Sequence, residues 1–366
     1  MADTISFARG APSLDIVDVD GLKKAAEQAF AADPGGMTGY GTSVGYVPLR
    51  EWIAQRHSVT PAEVLVTNGS MQADAFLFDA LVSAGDTVIV ERPTYDRTLL
   101  SLRNRGADVR MVALEPDGID TAALERLLGA GVRPKLAHII PNFQNPAGYT
   151  LSAAKRQRLI ELAREHDFVI FEDDPYVSLR FEGESLPTMV SADPERVVYA
   201  SSFSKTVCPG IRVGYLVGPA DLIAQIAKLA TSTYISPSMV SQGIVNQFCR
   251  SGAVERSTAT VRDALRERAQ TLCQALAEHF PDASFVAPQG GYFLWVDLPP
   301  GTDVDALLAA AKERDVQFVK GSEFVLEGGD SSLRLAYSGV NSDQIREGVK
   351  RLAQAYALIG APAHAA

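Results

Sequence analysis

The sequence predicts an α/β protein with a mainly parallel central sheet sandwiched by helices, followed by a smaller α+β unit. Three observations point there. From Val64 to Val217, short apolar runs alternate with amphipathic helical stretches, as expected of strands buried on both faces and joined by crossover helices. From Pro237 to about His279 the pattern is helical throughout, and beyond it strands and helices mix. At 366 residues the chain is long enough for one large core and a second, smaller one.

Composition narrows the class of function. The chain is 46% hydrophobic and 21% charged, with a net charge of -10. That describes an ordinary globular protein and argues against a nucleic-acid surface, which needs clustered Lys and Arg. No apolar run approaches a membrane span. Met1-Ala2-Asp3-Thr4 lacks the basic and apolar regions of a signal peptide. Cys208, Cys249 and Cys273 form an odd set without metal-ligand spacing, so a reducing compartment, the cytoplasm, is expected. His57, His138, His166, His279 and His364 make no paired metal motif and read as core or surface fillers.

The elements follow in order. Ile5 to Pro12 reads as irregular, and a short helix is expected around Leu22–Phe30. The glycine-rich stretch Gly35 to Gly45 reads as a loop able to approach a ligand closely, and a helix carrying Leu49 and Ile53 follows it. Strands are expected at Val64–Thr67, Thr87–Val90, Val109–Ala113, Leu136–Ile140, Phe168–Phe171, Val197–Ala200 and Arg212–Val217. Helices are expected at Met71–Val82, Tyr95–Arg105, Thr121–Leu128 and Ala153–His166, with an irregular stretch after Tyr176. The charged run Arg262–Arg268 reads as a solvated helix face. Beyond it, strands are expected near Ser284–Ala287, Tyr292–Leu298, Val316–Val319 and Leu333–Tyr337. Helices are expected near Val304–Arg314 and Ser342–Leu358, and the Ala-rich last residues read as a frayed tail.

The chemistry gathers after the strands. In Ser202-Phe203-Ser204-Lys205-Thr206, a lysine follows an apolar strand among hydroxyls, and Arg212 stands seven residues further on. A lysine amine bonds a carbonyl covalently once burial or a second cation lowers its pKa. Hydroxyls and a forked guanidinium suit a phosphate. Pyridoxal 5'-phosphate (PLP) carries both an aldehyde and a phosphate. Such a cofactor needs a carboxylate against its pyridine nitrogen to keep that nitrogen protonated. Glu172-Asp173-Asp174-Pro175-Tyr176 places carboxylates directly after an apolar strand, with Pro175 turning Tyr176 back towards the same place. Tyr176 and Asn145 can bond the phenolic oxygen of the cofactor, and Tyr95 can stack on its ring. The junction Asn68-Gly69-Ser70, at the start of a helix, suits an anion. In parallel sheets ligands bind beyond the carboxyl ends of the strands. Ser70, Tyr95, Asn145, Asp173 and Lys205 all fall there.

These motifs give the chain a family resemblance. Pro141-x-x-Gln144-Asn145-Pro146-x-Gly148, Glu172-Asp173-Asp174-Pro175-Tyr176 and Ser202-Phe203-Ser204-Lys205-x-x-x-Pro209-Gly210-x-Arg212-x-Gly214 resemble fold-type I PLP-dependent aminotransferases of class I/II. The nearest branch contains 2-aminoadipate and kynurenine aminotransferases and the catalytic domains of MocR-type regulators. The resemblance runs from Phe7 to Ser338. It implies that Lys205 forms the Schiff base and moves the substrate α-proton, and that Asp173 rather than Asp174 meets the pyridine nitrogen. It also implies that Ser70, Met71 (through its backbone), Ser202, Ser204 and Arg212 surround the phosphate. Arg334 would pair with the substrate carboxylate beside Asn145, and Tyr40 would reach the active site of a neighbouring subunit in a homodimer. Arg9 and Lys320 stand where relatives carry other residues, and Arg9 is a candidate substrate contact. The expected units are an N-terminal arm with part of the small domain (1–39), a PLP-binding domain (40–240), and a linking helix with the C-terminal small domain (241–366). The function implied is transfer of an amino group from an L-amino acid to a 2-oxo acid such as 2-oxoglutarate. Elimination, replacement or condensation on the same scaffold is the alternative. A MocR-type regulator would need an added DNA-binding module, and the acidic balance counts against it.

Overall fold

The computed structural model describes residues 4–359; the Ala-rich tail lies outside them. An eight-stranded sheet runs in the order Val64–Thr67, Gly214–Val217, Val197–Ser202, Val169–Asp173, Pro134–Ile139, Thr87–Arg92, Asp108–Glu115 and Gly118–Ile119. Gly214–Val217 is antiparallel to both of its neighbours, and the central pairings are parallel. Side chains alternate between two cores. Val64, Val66, Ile89 and Ile170 enter one, and Leu65, Val88, Val90 and Phe171 enter the other. With both faces buried, the strands must be apolar throughout, which is why they stand out in the sequence.

A third core gathers the C-terminal residues around a three-stranded antiparallel sheet, Phe293–Asp297, Ser332–Ala336 and Val319–Lys320. The 27-residue helix Ala253–His279 lies along it, with Val261, Leu265 and Leu272 buried. Ile5, Phe7 and Ile16 belong to this core, whereas Ala25, Ala29 and Met37 join a core of the large sheet.

Several elements differ from the sequence reading. The glycine-rich stretch begins with a short helix, Pro34–Thr38, because Asp33 caps it by accepting the Gly36 N–H at 2.8 Å and Pro34 suits a first helical position. Ala220–Tyr234 is a 15-residue helix with Ile223, Ile226 and Ala230 buried, a spacing the reading overlooked. Ser284–Ala287 forms no strand, only one bridge from Ser284 to Asp297 in an exposed segment that runs into Pro288. Val316–Val319 is split: Val316–Gln317 pairs in parallel with Ile5–Ser6, and Val319–Lys320 pairs with the small sheet. The opening segment is therefore partly a strand. Arg268 is also not solvated. It is 4% exposed and donates to the Ser338 carbonyl at 2.7 Å, to Ser13 at 2.9 Å and to Asp15 at 2.7 Å. It faces inward because it lies on the same side of the helix as Leu265 and Leu272.

Candidate active site

At the carboxyl ends of the parallel strands a cavity of about 530 Å³ opens between the large sheet and the third core, with Ser70, Tyr95, Asp173, Lys205, Arg212 and Arg334 in its wall. One corner is built for an anion. Ser70 opens the 12-residue helix Ser70–Leu81, whose first N–H groups have no partner within the helix. Gly69 precedes it at φ +85°, and a Cβ there would run into the Arg212 guanidinium. A side chain at Gly214 would strike the Gly69–Ser70 backbone. Both glycines thus let the helix start and the arginine close on the same point. Arg212, itself left-handed at φ +52°, donates to Ser204 Oγ at 3.4 Å and to the Asn68 carbonyl at 3.2 Å. Ser202 Oγ accepts the Ser204 N–H at 3.1 Å, which fixes the turn leading into Lys205.

Lys205 Nζ donates to the Gly10 carbonyl at 2.7 Å and lies 5.6 Å and 5.2 Å from the ring centres of Tyr176 and Tyr292. Burial, aided by the Arg334 and Arg212 charges, pushes its pKa down to about 8. The three consecutive acids separate. Glu172 caps the short helix Met189–Ala192, accepting the Met189 and Val190 N–H groups at 2.8 and 2.9 Å. Asp174 accepts from Asn142 at 2.9 Å. Asp173 alone of the three lines the cavity; its Oδ2 lies 3.3 Å from His138 Nε2, and its Oδ1 is buried without a partner.

Arg334 is held flat between Phe293 and Phe324, at 4.3 and 4.8 Å from their ring centres. It donates to Asn145 Oδ1 at 2.9 Å and to the Ala8 carbonyl at 2.7 Å, while its Nε is buried without a partner. Tyr176 is buried beside Phe293, and burial raises its pKa well above the usual value. Tyr95 stands in the wall with its hydroxyl 3.7 Å from Met71 Sδ. The structure therefore gathers Ser70, Met71, Tyr95, Asn145, Asp173, Tyr176, Ser202, Ser204, Lys205, Arg212 and Arg334 around one cavity.

Two expected residues are not brought there. Arg9 is exposed and outside the wall; its neighbours Ala8 and Gly10 face the cavity instead. Tyr40 is 91% exposed and outside the cavity of its own chain. Lys320 lines the mouth and is held by Asp305 at 2.8 Å. The reading missed the Gly10 and Ala8 carbonyls, for which no sequence signal exists, and it missed Asp74. It also took His138 for a filler. That histidine is fully buried behind Asp173, and its place at the end of a central strand level with Phe171 was the signal available.

Pyridoxal phosphate fits these residues. The unpartnered Asp173 oxygen suits a pyridinium N–H, the cradle at Gly69 suits a phosphate, and the Lys205 amine is near neutrality between them. Fold and site together define a PLP-dependent enzyme. The family model for class I and II aminotransferases matches residues 2–352. Among curated relatives, the 2-aminoadipate transaminase of Thermus thermophilus is 32% identical over 96% of this chain and 90% of its own. The aromatic-amino-acid aminotransferase 1 of Thermococcus litoralis is 31% identical over 96% of this chain and 88% of its own. Among solved structures, the α-aminoadipate aminotransferase LysN of Thermus thermophilus, complexed with N-(5'-phosphopyridoxyl)-L-leucine, superposes with a TM-score of 0.93. It is 31% identical over 97% of this chain and 92% of its own. The chain belongs to the class I and II aminotransferase family and is a PLP-dependent aminotransferase acting on amino and keto acids. The regulator reading is not favoured. Among the described residues no helix is long and apolar enough to cross a membrane.

Proposed function

We propose that this enzyme moves the amino group of an L-amino acid to a 2-oxo acid such as 2-oxoglutarate, with Lys205, Asp173 and Arg334 as its working residues. The observation that carries this reading is the pair of buried, unpartnered polar atoms, Asp173 Oδ1 and Arg334 Nε, on the cavity that also holds Lys205. Pyridoxal phosphate, when bound, supplies the electron sink that makes an amino acid's α-hydrogen acidic.

Asp173, steadied by His138, would hold a proton on the ring nitrogen. Ser70, Ser202, Ser204, Arg212 and the backbone at Met71 would hold the phosphate. Tyr95 would cover the ring, and Tyr176 and Asn145 would serve its phenolic oxygen. Lys205 would hold the cofactor through its aldehyde carbon and, with its amine free, would take the substrate α-proton and return it. A pKa of about 8 leaves about a tenth of that amine uncharged at pH 7, far more than an ordinary lysine would, as a base requires. Arg334 receives the substrate carboxylate, and the Phe293 and Phe324 rings keep its fork in plane.

We assign the cofactor-binding unit to 40–240, with 1–39 and 241–366 supplying the arm, the linking helix and the small domain. Tyr40, exposed on the single chain, would complete the site of a second subunit in a homodimer, and light scattering checks that mass. The three free thiols support a cytoplasmic location, which cell fractionation tests. The relatives named for 2-aminoadipate and aromatic amino acids support an amino donor with a long or bulky side chain.

The test is a half-reaction. Mixed with single L-amino acids and no acceptor, the protein should release the matching 2-oxo acid once per subunit and stop until 2-oxoglutarate is added. Continuous release of ammonia or of a side-chain leaving group would overturn the reading in favour of elimination.

A further inference from the structure

The helix that opens at Ser70 carries a carboxyl to which the site described so far gives no task. Asp74 follows Ser70 by four residues, so both lie on one helix face, and both line the cavity. Asp74 is 7% exposed, and its Oδ1 is buried without a hydrogen-bond partner. Charged and titratable groups enter the same cavity from several elements, and Asp173 is the one that acts on Asp74 directly. Asp173 stands on the strand Val169–Asp173, with His138 behind it. Tyr95 and Asp96 stand at the corner after Thr87–Arg92, and Lys205 and Arg212 lie on the wall towards the phosphate corner. Burial and the Asp173 carboxylate both oppose a second negative charge here, and they raise the Asp74 pKa well above the carboxylate range. Two carboxyls from two elements, Asp74 and Asp173, each with a buried unpartnered oxygen, therefore enter the cavity that fits a cofactor ring with one basic nitrogen.

We propose that Asp74 is a second carboxyl on the ring side of this cavity and that, when ionised, it adds to the hold of Asp173 on the protonated ring nitrogen. This rests on the reading that Asp173 meets that nitrogen. While Asp74 is neutral, one negative charge faces one positive charge. Once it ionises, a second negative charge acts on the same cation through a partly dry wall, where charges interact more strongly than in water. By linkage, the cation binds the ionised form better, so ring affinity gains with rising pH, and a bound ring draws the Asp74 titration downward.

The probe is pyridoxamine 5'-phosphate, which forms no covalent bond with Lys205. Its Kd is measured calorimetrically on the apo full-length protein from mildly acid pH to about pH 10, for wild type, Asp74→Asn, Asp74→Leu and Asp173→Asn. The Lys205 titration is common to wild type and both Asp74 variants, so the ratio of Kd values reports Asp74 together with the ring nitrogen it acts on. The expected ratio of Asp74→Asn to wild type is within about two-fold at the acid end and grows to about ten-fold or more at the alkaline end. Asp74→Leu, which lacks any polar group, should show the same loss of pH dependence. A ratio that stays constant with pH overturns the proposal, as does an Asp74→Leu variant that keeps the wild-type rise. Infrared spectra give a second readout. Apo wild type at neutral pH should show the carbonyl stretch of a protonated carboxyl that Asp74→Asn removes, and its absence from wild type also overturns the proposal. Asp173→Asn separates the two layers. If it leaves binding unchanged at every pH, the Asp173 reading fails; if it weakens binding while the Asp74 ratio stays flat, only the Asp74 proposal fails.

Discussion

Replacing Lys205 with Met keeps the length of the side chain and removes a charge that the fold disfavours. Folding carries the lysine pKa from 10.5 to about 8. At about 1.4 kcal/mol per pH unit, the protonated lysine therefore costs the native state about 3–4 kcal/mol. The sign follows from the protons bound. Between about pH 8 and pH 10.5 the unfolded chain holds more protons at this site than the native one, so wild-type stability rises with pH across that window. The penalty is complete below about pH 8 and gone above pH 10.5. Lys205→Met has no such titration. Its advantage over wild type should be greatest at neutral pH and should shrink by about 1.4 kcal/mol per pH unit through the window. Loss of the bond to the Gly10 carbonyl subtracts a roughly constant 1–3 kcal/mol at all pH values, so the slope, not the offset, carries the information. Urea unfolding of both apo proteins across this range, at one fixed protein concentration, measures it. Parallel curves would refute the argument that burial and the two arginines depress this lysine.

Two other expectations follow from the same wall. Arg334→Met should raise KM for both the amino acid and the oxo acid, lowering kcat/KM by about 100- to 1000-fold; steady-state kinetics with both substrates decide it, and an unchanged KM would mean that another group takes the carboxylate. Gly69→Ala forces a side chain into a left-handed position against Arg212, at a strain of about 1–3 kcal/mol. Its Kd for pyridoxal phosphate, read by absorbance titration, should rise about ten-fold, and a wild-type value would show that the cradle is not where the phosphate sits.

Much of this was legible in the sequence because of how the sheet is buried. Strands covered on both faces must be apolar throughout, so the polar residues that follow them, such as Asp173 after Phe171 or Lys205 after Ala200, mark the edge where ligands bind. Local motifs reach no further than their own loop. The acceptors of Lys205 and Arg334 are the carbonyls of Gly10 and Ala8, which any residue would supply, so nothing in those letters announces them. Arg9, the conspicuous side chain between them, points elsewhere. Asp74 sits in an apolar helix where one acid reads as a surface position, and only the packing of that helix on the cavity turns it inward. Arg268 was misread for a related reason. A charged run looks solvated until the distant Asp15, Ser13 and Ser338 that surround one member are known.

The crossing of Ile5–Ser6 onto Val316–Gln317 bears on how the protein is made. The Gly10 and Ala8 carbonyls that anchor Lys205 and Arg334 belong to a segment made before the large sheet, yet its partner strand is made after that sheet. On the nascent chain, the eight-stranded sheet with Asp173, Lys205 and Arg212 can assemble while Ile5 to Gly10 waits without a partner. Arg334 emerges later still than that partner strand. The large sheet can thus bring Asp173, Lys205 and Arg212 together before Arg334 is made, and the cavity wall is complete only when Ala8 and Gly10 meet the segment from Val316 to Arg334.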